Sequence, residues 1–231
     1  MRSQDKVSII IPCFNEEATI SEVIERVKRV DLGVEKEIIV VDDGSTDGSF
    51  DEARKHDGII LVRHERNMGK GAAVRTGIRH STGNVIVIQD ADMEYFPEDI
   101  PALIAPILKG EADVAYGSRF LGSIKGMSLS HYVGNQILSW ATRILFGANV
   151  TDMMTGYKAF RRDVIEGLKL KSKGFEFEPE VTAKLLKRGV KIAETPIVYS
   201  VRRNGVAKIR WSDGVVCLWW LIKEKIKGSE G

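Results

Sequence analysis

The stretch Val85-Ile86-Val87-Ile88-Gln89-Asp90-Ala91-Asp92-Met93-Glu94 decides the fold. Four consecutive β-branched apolar residues have no polar alternation, the pattern of a strand buried on both faces. The strand runs into three acids spaced two apart, Asp90, Asp92 and Glu94. In open α/β sheets, ligands gather beyond the carboxyl ends of the strands. Hard divalent cations take carboxylate oxygens and commonly bridge them to substrate phosphates. Asp-x-Asp here is a candidate site for a metal–diphosphate complex. Turn chemistry alone also places Asp at strand ends, so the motif needs its neighbours.

Those neighbours lie upstream. Val7–Ile11 reads as a first strand stopped by Pro12, after which Asn15-Glu16-Glu17 supplies capping and first-turn residues for a helix with Ile20, Val23, Ile24 and Val27 on one face. Ile38–Val41 is a second strand ending in Asp42-Asp43-Gly44-Ser45-Thr46-Asp47. A short helix to about Lys55, a third strand Ile59–Val62 and a helix from Asn67-Met68-Gly69-Lys70-Gly71 to about His80 lead into the central strand. Helical residues Ile100–Leu108 then precede a fifth strand, Asp113–Tyr116. This alternation predicts an α/β fold with a mostly parallel sheet flanked by helices. Asn15/Glu16, Asp42/Asp43 and Asp90/Asp92/Glu94 then share one rim. Carboxylates clustered in this way repel one another unless a cation sits among them.

After about residue 120 the rhythm changes. Gly122–Ser130 reads as a loop, His131–Phe146 as a helix, Thr155–Phe160 as a short strand, Asp163–Leu168 as a helical turn, Pro179–Gly189 as a helix and Ile192–Val201 as a strand. The chain is expected to be one domain over 1–231, with a nucleotide-binding half to about 120 and an acceptor-side half from about 121.

The 231 residues suffice for a large core, and a formal charge of +2 gives no electrostatic footprint for nucleic acid. Cys13 and Cys217 have no metal-ligand spacing, which points to a reducing, cytoplasmic compartment. No signal peptide is expected, and Val215–Ile222 falls far short of the ~20 apolar residues of a spanning helix.

Several motifs carry a functional and a plain reading together. Asn67–Gly71 lacks the hydroxyl and spacing of a Walker A loop, yet it can present N–H groups at a helix start. No Gly-x-Gly-x-x-Gly follows the first strand, which argues against a dinucleotide oxidoreductase. Asp42-Asp43 with Lys70 invites comparison with a phospho-acceptor receiver domain, against which the length and the Asp-x-Asp stand. Arg119, at the end of the fifth strand, would face the acid rim and pair with a diphosphate or an acidic acceptor. Phe175-Glu176-Phe177-Glu178-Pro179-Glu180 reads as extended, with Glu176 and Glu178 on one side as candidate bases or caps. Arg202, Arg203, Lys208 and Arg210 form a basic loop able to close over phosphates. Trp211, Val215, Leu218/Trp219, Ile222 and Ile226 form an apolar helical face beside Lys223, Lys225 and Lys227, suited to a membrane surface, to the protein body or to a second subunit in a homodimer.

Taken together, Ile-Ile-Ile-Pro-Cys-Phe-Asn-Glu (9–16), Val-Val-Asp-Asp-Gly-Ser-Thr-Asp (40–47), Asn-Met-Gly-Lys-Gly (67–71), Gln-Asp-Ala-Asp-Met-Glu (89–94), Gly-Ser-Arg-Phe (117–120) and Thr-Gly-Tyr-Lys-Ala-Phe-Arg-Arg (155–162) resemble the family 2 inverting glycosyltransferases of GT-A fold. Within that family the resemblance is to the dolichyl- and polyprenyl-phosphate sugar synthases. It implies Mg²⁺ or Mn²⁺ held by Asp90, Asp92 and Glu94, with Asp92 nearest the diphosphate. It further implies a GDP- or UDP-hexose donor met by Pro12, Phe14, Glu16, Asp42, Asp43, Lys70, Asp90, Ala91, Arg202 and Lys208. Arg119 would reach the acceptor phosphate, and the protein would work on the cytoplasmic face of a membrane. Glu94 stands where relatives often have Gln, and the C-terminal spanning helices of many relatives have no counterpart in this sequence. For a lipid phosphate acceptor no strong base is needed; for a saccharide hydroxyl, Glu178 or Glu176 is the candidate. A sugar nucleotidyltransferase and a non-catalytic nucleotide-sugar-binding protein are the competing readings.

Overall fold

The structure is a computed structural model that describes residues 5–202 and 211–227. Its centre is a seven-stranded sheet in the order β3-β2-β1-β4-β6-β5-β7. The strands are β1 (Lys6–Cys13), β2 (Glu35–Asp42), β3 (Ile60–Arg63), β4 (Val85–Ile88), β5 (Val114–Lys125), β6 (Lys158–Arg161) and β7 (Ile192–Ser200). All pair in parallel except β6, which is antiparallel to both β4 and β5. Helices α1 (Ile20–Arg29), α2 (Ser49–Arg54), α3 (Lys70–His80), α4 (Ile100–Leu108), α5 (Leu129–Phe146), α6 (Arg162–Glu166), α7 (Phe177–Lys187) and α8 (Trp211–Ile226) complete the order.

The uninterrupted apolar strands follow from burial on both faces. Ile9, Ile11, Val85 and Val87 pack with Val23 and Ile24 of α1 and Leu103 and Ile104 of α4. Ile10, Ile39, Ile86 and Ile88 face the other way, onto Val74 and Ile78 of α3 and Val181 and Leu185 of α7. α8 lies against α5 and α7 and buries Cys217 and Leu221.

Four local expectations are corrected. Pro12 does not stop β1; it lies opposite Val41, and the strand continues to Cys13, whose carbonyl accepts from Asp43 N. Proline forfeits only its own N–H, which the strand end does without. Asn15 does not cap α1: it sits at φ 51° with Oδ1 accepting from Thr46 N, and the helix starts at Ile20. The loop expected from Gly122 is strand as far as Lys125, because β7 supplies a partner and Gly122 admits the Ile197 backbone where any Cβ would overlap it. Phe175–Glu180 is not extended; α7 begins at Phe177, so Glu176 and Glu178 diverge.

At one point the two layers touch so closely that only glycine fits. A Cβ on Gly77 of α3 would overlap the Ile10 side chain of β1. Gly77→Ala is expected to destabilise the fold by about 1–3 kcal/mol through overpacking, although Ala is the better helix former. Urea unfolding monitored by circular dichroism checks this; increased stability would contradict it.

Candidate active site

A cavity of about 670 Å³ opens at the carboxyl rim of the parallel strands. Pro12 from the end of β1 enters it with Phe14 and Glu16 just beyond, Asp43 after β2, and Asp90, Ala91, Asp92 and Glu94 after β4. Lys70 from the start of α3, Arg119 from β5, Glu178 from α7 and Arg202 beyond β7 complete the wall. Asp42 stays outside it: buried, it takes Arg63 Nε at 3.1 Å, and its Oδ2 accepts from Ser45 N. Lys208 lies outside the described residues. Glu176 accepts from the backbone N–H groups of Lys173 and Gly174 and closes that turn instead.

Asp43 organises the glycine turn before α3. Its Oδ1 accepts from Met68 N at 2.9 Å and lies 2.6 Å from His64 Nδ1, while Oδ2 accepts from Gly69 N at 2.7 Å. Gly69 itself requires its φ of 93° and a close approach to the Lys173 backbone.

The acids of the central stretch are met by cations. Lys70 Nζ sits 2.7 and 2.9 Å from the two oxygens of Asp90. Burial works to lower the Lys70 pKa, but Asp90 and Glu178 outweigh it and hold the ammonium above the ordinary lysine value. Arg202 places Nη2 2.6 Å from Asp92, Nη1 3.4 Å from Glu16 and Nε 3.4 Å from Glu94. Burial, with Asp90 and Glu94 alongside, pushes Asp92 up to about 7 even against Arg202. Among the described residues no three His, Cys, Asp or Glu side chains converge as a closed metal site would. A pair of carboxylates completed by phosphate oxygens is the arrangement Mg²⁺ and Mn²⁺ commonly take, so the donor chemistry at the cavity wall fits such an ion at Asp92 and Asp90.

Across the cavity Arg119 is clamped by Asp152, Nε to Oδ2 at 2.7 Å and Nη2 to Oδ1 at 2.8 Å. Its guanidinium lies over Tyr199 and beside Phe120. The clamp engages Nε and Nη2. Asp152 is held in turn, because Glu194 accepts from the N–H groups of Thr151 and Asp152. Sequence reasoning missed Asp152 and Lys158, whose partners lie 33 and 20 residues away. It also missed Ser128, His131 and Asn135, which bring the first turns of α5 to the cavity. A lysine opening the short strand Lys-Ala-Phe-Arg was the one available signal for Lys158.

Residues 8–168 match the family model for glycosyl transferase family 2. The chain belongs to this family. It is 34% identical over 202 residues to an uncharacterized protein of Methanocaldococcus jannaschii, covering 84% of this chain and 82% of that one. It is 31% identical over 215 residues to the dolichol-phosphate mannosyltransferase of Pyrococcus furiosus, covering 89% of this chain and 59% of that enzyme. The glucosyl-3-phosphoglycerate synthase of Mycobacterium tuberculosis, solved with Mn²⁺, UDP-glucose and phosphoglyceric acid, superposes with a TM-score of 0.78 at 24% identity, over 100% of this chain and 83% of that one. The fold is therefore GT-A, as the sequence resemblance implied, and the protein is a glycosyltransferase.

In this transferase the acid rim has a measurable signature. A carboxyl group whose folded-state pKa exceeds its unfolded value favours the folded state when protonated. That contribution is complete below the unfolded pKa and is lost as pH rises towards about 7. Asp92→Asn is expected to match the parent's thermal midpoint near pH 4 and exceed it near pH 8 in metal-free buffer, the two values bracketing that loss. A midpoint lowered equally at both values would contradict the burial argument.

Proposed function

We propose that this glycosyltransferase moves a hexose, mannose or glucose, from GDP- or UDP-hexose to a polyprenyl or dolichyl phosphate with inversion, aided by Mg²⁺ or Mn²⁺. The observation that carries the reading is the two-sided cavity. Asp92 and Asp90 stand on one wall, and on the other the clamped Arg119 faces the N-terminal turn of α5. That same helix leads out to an apolar surface. Leu129, Val133, Ile137, Trp140 and Ile144 are exposed along it, and Val215, Trp219, Ile222 and Ile226 along the adjoining α8. Lys223 lies 4.4 Å from the Trp219 ring and 4.2 Å from the Trp220 ring, the pairing of aromatic and cation found at lipid headgroups. Among the described residues no helix is long and apolar enough to cross a membrane. A lipid-borne acceptor docked along α5 would present its phosphate at Arg119 from the cytoplasmic face.

Asp92 and Asp90 would hold the divalent ion, whose charge would neutralise the leaving diphosphate. Pro12, Phe14, Glu16 and the Asp43-anchored turn form the end of the cavity suited to the nucleoside. An acceptor phosphate oxygen forms the new bond to the anomeric carbon while the bond from that carbon to the diphosphate oxygen breaks. The electron pair leaves with the nucleoside diphosphate. The attacking oxygen is already anionic, so no proton has to be removed. A saccharide hydroxyl would need a base, and Glu178 is buried and ion-paired to Lys158. The resemblance to a dolichol-phosphate mannosyltransferase supports the same acceptor class, and family membership argues against the nucleotidyltransferase reading.

Transfer from GDP-mannose and UDP-glucose to polyprenyl phosphate in vesicles, with 3-phosphoglycerate as the soluble alternative, tests the proposal. Arg119→Lys loses a fork that a point charge does not replace, and it is expected to raise the acceptor KM about 10- to 100-fold with the donor KM nearly unchanged. Turnover on 3-phosphoglycerate alone would overturn the lipid acceptor.

A further inference from the structure

A row of charged side chains runs from the core out to Asp90 at the cavity wall, and the reaction described above does not use its two inner members, Lys158 and Glu178. Lys158, the first residue of β6, is wholly buried, opposite Ile88 of β4 and Tyr116 of β5. Its ammonium sits 4.5 Å from the centre of the Tyr116 ring. It donates to the Met153 carbonyl at 3.1 Å, to the Thr155 carbonyl and to Glu178 Oε2. The other carboxylate oxygen, Glu178 Oε1, has no hydrogen-bond partner among the described residues and lies 3.5 Å from Lys70 Nζ. Lys70 completes the row by pairing with Asp90. From the core to the cavity the signs alternate: Lys158, Glu178, Lys70, Asp90.

Gly156 closes over the outer end. A Cβ there would overlap Asp90 Oδ2 and come within 2.8 Å of Lys70 Nζ. The backbone is thus shaped around the Lys70–Asp90 pair, and the chain segment that does this leads directly into β6 and Lys158. Burying a lysine and a glutamate side by side is costly, and two apolar residues of like volume commonly stabilise such a site as well or better. A purely structural role therefore leaves the row unexplained.

We propose that Lys158 and Glu178 are positioning residues that set Lys70 for the diphosphate of the donor. Lys158 saturates one oxygen of Glu178 and aims the other at Lys70. Lys70 is then drawn from both sides, by Glu178 and by Asp90, and its ammonium is fixed at the wall. Asp90 is held by the same contact. The ligand class is the diphosphate of a nucleotide-sugar, so the inference rests on the donor reading given above.

The test separates positioning from folding. Glu178→Gln and the double variant Lys158→Met/Glu178→Gln are compared with the parent. Thermal midpoints are measured together with the affinities of UDP, GDP, uridine and guanosine, by calorimetry and ligand-observed NMR with Mn²⁺ present. The single variant is expected to weaken binding of the preferred nucleoside diphosphate about tenfold or more, the scale of one charge-assisted contact, while the matching nucleoside binds as before. The double variant is expected to regain the parent's midpoint without regaining diphosphate affinity. Nucleoside and diphosphate affinities falling together, affinity returning with the midpoint, or no change in either variant would each overturn the proposal. Failure of the parent to bind UDP or GDP at all would overturn the donor reading, and this inference with it.

Discussion

Carboxylates gathered at one rim of a sheet repel one another, and the low dielectric around a cavity magnifies the repulsion. Two cations at the rim answer that constraint. Lys70 sits on Asp90, and Arg202 reaches Asp92, Glu94 and Glu16 from beyond β7. Burial, with Asp90 and Glu94 alongside, still pushes the Asp92 carboxyl group up to about 7 against the pull of Arg202. In the proposed reading this cluster of carboxylates receives a divalent ion and the diphosphate it carries.

The second half of the chain supplies the counterweights. Inserting β6 antiparallel between β4 and β5 brings Lys158 under the acids and moves β5, with Arg119, two strands away from the Asp-x-Asp. The cavity owes its two walls to that one strand. On the far wall Asp152 holds Arg119 by both ends of its carboxylate, and Glu194 fixes the backbone that carries Asp152. The positive and negative walls are each stiffened by buried partners, an arrangement that presents fixed charges to a ligand with little reorganisation.

Much of this was legible in the sequence because it follows from local chemistry. The β-branched run of β4, the acids at its end and the helix periodicity of α1 and α4 are short-range patterns, and the structure reproduces Val85–Ile88 and Ile100–Leu108 as read. Pairing partners were not legible. β6 falls between two strands that precede it in the chain, and no periodicity announces an insertion of that kind. Gly122 looked like a loop because glycine signals turns, whereas here it serves a close approach of β5 to β7. Glu178 looked like a free base because its partner, Lys158, is 20 residues away in another element. Asp42 and Asp43 are adjacent in sequence, yet β2 ends between them and they meet different surroundings, one Arg63 and the other the turn before α3.

The central claim is that the acids after β4 form a metal-assisted donor site, and calorimetric titration of GDP-mannose and UDP-glucose in parallel with Mn²⁺ tests it most directly. The account predicts that one donor binds and that binding disappears both on chelation and in Asp92→Ala. Binding of neither donor, or binding indifferent to the metal and to Asp92, would contradict it.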